Sequence, residues 1–175
     1  MHAPTLPLIR RPAMLAALLV AAAGTGTILG ALFFQYVVGL APCPLCLEQR
    51  LFYYAAIPLA LVTALAAWCE APRWLIATGL AIVALIMLGG AALALYHAGV
   101  EWKWWEGPQD CSGPLNPLGS RGLLDQLQDI RIVRCDEAPW RFLGLSLAGY
   151  NVLISLALAL VAASGIWAMR QPSRV

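Results

Sequence analysis

The sequence predicts an all-α membrane protein: a four-helix transmembrane bundle with one short and one long loop on the same face. Two observations predict it. Of 175 residues, 61% are apolar and only 11% charged, against roughly a quarter charged in a soluble domain. Four long stretches also carry no charge at all, Pro12 to Leu47, Leu51 to Cys69, Trp74 to Val100 and Phe142 to Met169. A helix rising 1.5 Å per residue needs about 20 mainly apolar residues to cross about 30 Å of hydrocarbon with its amides bonded internally. The chain reads as a single integral-membrane domain over residues 1–175, with spans at about 13–34, 47–68, 74–96 and 147–168 and loops at about 35–46 and 97–146.

The first stretch is longer than one span needs, so the part after about Phe34, with Gly39, Pro42 and Pro44, is a short loop. Spans two and three are separated only by Glu70-Ala-Pro-Arg73, a tight polar turn. Pro58 lies within span two, where it is expected to kink the helix. The segment between spans three and four holds seven of the nine acids and is the only sizeable water-facing stretch. Trp102, Trp104 and Trp105 open it as an aromatic cluster suited to headgroup level. Within it, Leu123, Leu124, Leu127 and Ile130 recur at helical spacing beside Asp125, Gln126, Gln128 and Asp129. That pattern fits a short helix lying on the membrane or packed on loop residues.

Arg10, Arg11, Arg73, Arg170 and Arg174 fall on one side of this topology, which favours cytoplasmic termini and loops on the non-cytoplasmic side. The run after Arg11 also mimics a cleavable signal peptide, but the apolar stretch continues to Val38, where a mature soluble sequence should begin. The net charge of +2, with no dense basic run, gives no footprint for nucleic acid.

Five cysteines carry the chemistry. Cys43 and Cys46 fall in the short loop and Cys111 and Cys135 in the long one, on the same face; Cys69 lies alone on the other and reads as a free structural thiol. Even an inverted bundle keeps this two-plus-two partition. Outside the cytoplasm such pairs are permitted to form disulfides. Cys43-Pro-Leu-Cys46 begins span two, where unpaired amides and the helix dipole favour a thiolate. Arg50, four residues after Cys46, adds a cation one turn away. These influences lower a thiol pKa, and Cys46 is expected to be the more reactive of the two. Closing Cys111 to Cys135 would contribute about 3–4 kcal/mol in a chain-entropy picture, so a purely structural disulfide is a real alternative. A second thiol pair facing the same compartment favours exchange between the pairs instead.

The order Phe34-Gln35, Pro42-Cys43-x-Leu45-Cys46, Arg50, Tyr96-His97, two loop cysteines and Trp140-Arg-Phe-Leu-Gly-Leu-Ser146 resembles the DsbB family of disulfide bond formation proteins, from span one to span four. The resemblance implies a protein-dithiol:quinone oxidoreductase of the bacterial inner membrane that reoxidises a soluble periplasmic DsbA-like thiol oxidase and passes the electrons to the quinone pool, ubiquinone or menaquinone. It further implies that the partner attacks Cys111 and that Cys135 exchanges with Cys43. Cys46 is then left as a thiolate beside the quinone, Arg50 holds that thiolate and polarises the ring, and His97 lies near it.

Rival readings are a tetrahedral zinc site of Cys43, Cys46, Cys111 and Cys135, a vitamin K epoxide reductase-like enzyme, an outward thiol relay, and a small transporter or scaffold. The reductase-like family usually places its Cys-x-x-Cys after its loop pair, and a relay needs a cytoplasmic pair that Cys69 alone cannot form. No G-x-G-x-x-G follows a strand, which argues against a Rossmann-held flavin or nicotinamide. Glu48 and Glu101 could assist proton release, although solvated interfacial carboxylates are commoner. Gln35 is expected to bridge helices, His2 to lie in the N-terminal tail, and Gly24, Gly26, Gly30, Gly89 and Gly90 to permit close helix packing.

Overall fold

The computed structural model describes residues 11–108 and 135–171. Four long helices account for most of them: α1 (Arg11–Tyr36), α2 (Pro44–Trp68), α3 (Arg73–Glu101) and α4 (Leu147–Arg170). All four are long and apolar enough to cross a membrane. A small hairpin of β1 (Arg141–Phe142) and β2 (Leu145–Ser146) precedes α4.

Local sequence fixes the ends of these elements. Proline at the first helical position starts α2 with φ already set, and Cys43 before it is held extended, at φ −75° and ψ 165°. The turn after α2 places Glu70 in the left-handed region while the amide of Ala71 bonds back to the carbonyl of Ala66 at 2.9 Å. Leu143 and Gly144 both take positive φ, the conformation a two-residue hairpin turn needs. Ser146 then caps α4, its Oγ accepting the Gly149 amide at 3.1 Å. Helix α2 runs unbroken through Pro58.

Two boundaries differ from expectation in a way that matters. Helix α2 begins at Pro44, so Cys46 lies within its first turn and not in the loop. Helix α3 continues to Glu101, placing both His97 and Glu101 on helix and not in the long loop. The extra turn is possible because Tyr96, His97 and Val100 are packed by neighbouring elements, and an apolar-run criterion cannot register that. The amphipathic segment around Leu123–Ile130 and Cys111 fall outside the described residues, as does His2.

The helices form a four-cornered bundle in which each packs on its chain neighbours and α4 closes back on α1. Its interior is built from small residues on α1, α2 and α4, including Ala13, Ala17, Ala56, Ala60 and Ala162, against Ile76, Leu80, Val83 and Met87 of α3. Small side chains let helix axes approach, which matters in lipid, where no hydrophobic effect drives helices together. Large apolar residues such as Leu19, Leu65, Leu85 and Leu160 point outward, each more than half exposed, as a lipid-facing surface requires. At Gly165 of α4 an added Cβ would stand 2.7 Å from Cβ of Ala16 and 3.1 Å from Leu80. Because the Ala16 methyl is fixed to its backbone, Gly165→Ala is expected to force α1 and α4 apart and destabilise the bundle by about 1–3 kcal/mol, measurable as a lowered unfolding midpoint in detergent.

With four antiparallel spans, the C-termini of α1 and α3 and the N-termini of α2 and α4 share one end of the bundle. Cys43, Cys46 and His97 are at that end. Cys69, exposed with a free thiol, is at the other.

Candidate active site

The centre grows from the start of α2. Cys43 is its N-cap, and its Sγ accepts the Cys46 amide at 3.3 Å. The Cys46 Sγ lies 3.0 Å from the Cys43 Sγ. Both are free thiols. Since the backbone donor already points at Cys43, that sulfur is the natural acceptor of the pair. Its pKa is lowered from the ordinary thiol range to about 5. The hydrogen bond with the Cys46 side chain is the largest cause; burial opposes it, and His97 and the Cys46 amide reinforce it. With both thiols free, the cap amide thus favours the thiolate on Cys43, whereas the sequence pointed to Cys46 as the more reactive sulfur. Spacing identified the helix terminus correctly but not which sulfur would occupy the cap.

His97, 2% exposed, approaches from α3 with Nε2 at 3.6 Å from the Cys43 Sγ. A polar chain across three helices orients the ring. Tyr53 donates its hydroxyl to Asn151 Oδ1 at 2.5 Å, Asn151 donates Nδ2 to Gln49 Oε1 at 2.5 Å, and Gln49 presents Nε2 to His97 Nδ1 at 2.8 Å. Each amide uses its oxygen toward one neighbour and its nitrogen toward the next, so His97 Nδ1 acts as acceptor and the neutral ring carries its proton on Nε2, facing the cysteine. Ser155 extends the chain, 3.1 Å from the Tyr53 hydroxyl. Sequence reading overlooked Gln49, Tyr53, Asn151 and Ser155 as site residues. Their signal was polarity inside otherwise apolar spans, which is costly in a membrane unless satisfied or functional.

Cys135 is 1% exposed and packs against Cys43 and Leu45. It is disulfide-bonded, its partner lying outside the described residues. With that sulfur committed, a four-cysteine zinc site does not match this state; the donors brought together are Cys43, Cys46 and His97, all within 4.8 Å of one another.

Arg50 donates Nη1 to Gln35 Oε1 at 2.6 Å, so Gln35 bridges α1 and α2 as expected. Arg50, Cys46 and His97 open onto one cleft of about 280 Å³, walled largely by apolar side chains such as Phe34, Leu147 and Ile154. Glu48 is exposed. Glu101 is not the solvated interfacial carboxylate expected: its side chain is 2% exposed, with Oε1 3.8 Å from His97 Nε2.

Two thiols within reach of each other, one already favoured as thiolate, with a disulfide sulfur packed against them, have the parts for thiolate attack on disulfide sulfur. That chemistry, set in a bundle of spanning helices, defines a multi-pass membrane thiol oxidoreductase. The chain belongs to the DsbB family: the family model described as "Disulfide bond formation protein DsbB" matches residues 13–165. It is 34% identical to "Disulfide bond formation protein B" of Verminephrobacter eiseniae, over 80% of each chain. It is 37% identical to the protein of that name from Aromatoleum aromaticum, over 74% of this chain and 77% of the relative. To that of Polaromonas sp. it is 32% identical, over 74% and 76%.

Proposed function

We propose that the protein reoxidises a soluble DsbA-like dithiol oxidase and passes the electrons to membrane quinone, from the bacterial inner membrane, with both termini cytoplasmic and the cysteine loops periplasmic. The observation that carries this reading is the placement of Cys43 between two neighbours: Cys135 packs on it from one side, and Cys46 sits beside it on the wall of the cleft.

The exchange steps use the four cysteines in turn. A thiolate of the reduced partner attacks Cys111 of a Cys111–Cys135 disulfide and frees the sulfur of Cys135. Cys135 attacks Cys43 of a Cys43–Cys46 disulfide and frees Cys46 as a thiolate at the cleft. The second partner thiol releases the partner in its oxidised form and frees Cys111, which recaptures Cys135 and leaves Cys43 and Cys46 reduced. Both thiols free and Cys135 in a disulfide is the state the structure holds.

The cleft suits a quinone head group in chemical character: apolar walls for a flat ring, and the Arg50 guanidinium and His97 as donors toward carbonyl oxygens. A quinone supplies a two-electron, two-proton acceptor soluble in the bilayer. Arg50, anchored by Gln35, puts a permanent positive charge beside the cleft where Cys46 gathers negative charge. His97, held by Gln49, presents one N–H on the cysteine side.

Anaerobic mixing of the purified protein with a reduced DsbA-type partner and a soluble quinone analogue tests the reading. Loss of quinone absorbance should match partner disulfide formed, one for one. Unchanged absorbance while partner binding is demonstrated would overturn it.

A further inference from the structure

Glu101 ends α3 one helical turn beyond His97. Its Oε2 has no hydrogen-bond partner among the described residues. A carboxylate buried in this way is expensive, and a buried polar atom without a partner calls for a physical reason. Its surroundings are specific. His97 Nε2 is 3.8 Å from Oε1, and Ser146 at the cap of α4, Arg141 of β1 and Cys43 at the cap of α2 act on the carboxylate. The nearby Lys103 is engaged by Asp136. Closing a disulfide from two neutral thiols releases two protons with two electrons, but a pair in which Cys43 is already a thiolate above about pH 5 holds only one. Reduction then places a second negative charge beside the buried Glu101 carboxylate, and a proton taken up from solvent there would relieve the two anions. On His97, Nδ1 already faces the Gln49 amide N–H. The unpartnered oxygen of Glu101 meets no such donor.

We propose that Glu101 is the proton site linked to the redox state of the Cys43/Cys46 pair. The carboxylate takes up a proton when the disulfide is reduced and gives it up when the disulfide re-forms. In full, Cys43–Cys46 disulfide, Glu101 carboxylate, two electrons and two protons become Cys43 thiolate, Cys46 thiol and Glu101 carboxylic acid. The electrons come from a dithiol. On oxidation the S–S bond closes, both electrons pass to the acceptor at the cleft, and the protons of Cys46 and Glu101 leave with them. Glu101 stores a proton near the pair and is a positioning residue, not a group that touches the acceptor. The inference rests on the exchange chemistry proposed above, but its test uses neither partner nor quinone, so the two can fail separately.

The full chain is equilibrated in glutathione redox buffers from about pH 6 to pH 8, acid-quenched and differentially alkylated. Peptide mass spectrometry then reads Cys43 and Cys46 apart from the other cysteines. Glutathione releases two protons per disulfide over this range, below an ordinary thiol pKa of about 8.5. If reduction of the pair also takes up two protons, the apparent equilibrium constant of the wild-type protein stays constant within about twofold, since linkage makes the slope the difference in protons bound. Glu101→Gln takes up one proton fewer, and its constant should rise in favour of the reduced pair by about tenfold per pH unit, roughly 100-fold across the range. Glu101→Asp should restore the flat profile. A wild-type constant that itself rises tenfold per pH unit overturns the proposal without any variant, and so does a flat Glu101→Gln profile.

Discussion

Cys46→Ala should bring oxidation of the partner by the quinone analogue down to background, a loss of at least about a thousandfold, of the size seen when a nucleophile that acts as part of a unit is removed. Without that sulfur Cys43 has no neighbour with which to close a disulfide, and the wall of the cleft has no group to deliver electrons. The adjacent packing of Cys135 on Cys43 is untouched, so the defect should lie in turnover and not in folding. Cys69→Ala provides the contrast: its thiol is exposed at the far end of the bundle, and the rate should be unchanged. Coupled assay of partner oxidation and quinone loss checks both variants. Turnover by Cys46→Ala within tenfold of wild type would remove Cys46 from the pathway.

The second large effect concerns the acidity of Cys43. With a pKa of about 5, its alkylation rate in the reduced protein should vary by less than about twofold between pH 6.5 and 8.5, whereas an ordinary thiol of pKa about 8.5 should accelerate about fiftyfold over the same range. His97→Ala removes a donor at 3.6 Å and should move the midpoint upward, though not to the ordinary value, because the larger contribution from Cys46 remains. The sign for stability follows from the depressed pKa. Relative to the unfolded chain, the reduced protein gains from this group at pH above the ordinary thiol range, and the gain is lost as pH falls through about 5. The same thiolate preference makes the disulfide easier to reduce, hence a better oxidant. Rapid-quench alkylation with mass-spectrometric readout of Cys43 measures the profile; a steep rise toward pH 8.5 would show that the cap does not stabilise the thiolate.

How far the sequence could be read depended on the kind of signal each residue gave. Charge-free stretches located all four spans, because crossing hydrocarbon imposes a length that local composition displays. The position of Cys43 and Cys46 at a helix start was legible from Pro44 and from the end of the uncharged loop. Choosing between the two sulfurs was not, because the choice turns on a single amide pointing at Cys43 Sγ, a matter of cap geometry. Arg50 was expected to stand near Cys46, and both open onto one cleft. Its tether to Gln35 joins residues 15 apart in sequence, within the range where a polar pair in facing spans can be suspected. The chain from Tyr53 through Asn151 and Gln49 to His97 joins three helices across about a hundred residues. No periodicity encodes such a contact; polarity within apolar runs was its only trace. Glu101 was misjudged because an acid beside three tryptophans looks interfacial, whereas the added turn of α3 and the approach of Ser146 enclose it.

Cys43, Cys46, Cys135 and His97 stand at the same end of the bundle, with the thiol of Cys69 a helix length away. A charge that moves between such groups does not travel the length of the bundle. The work a transmembrane voltage performs on a charge, about 2.3 kcal/mol per elementary charge per 100 mV, applies only to displacement along the normal. Exchange among these sulfurs is therefore expected to respond weakly to a voltage across the bilayer, with equal rates in energised and de-energised vesicles.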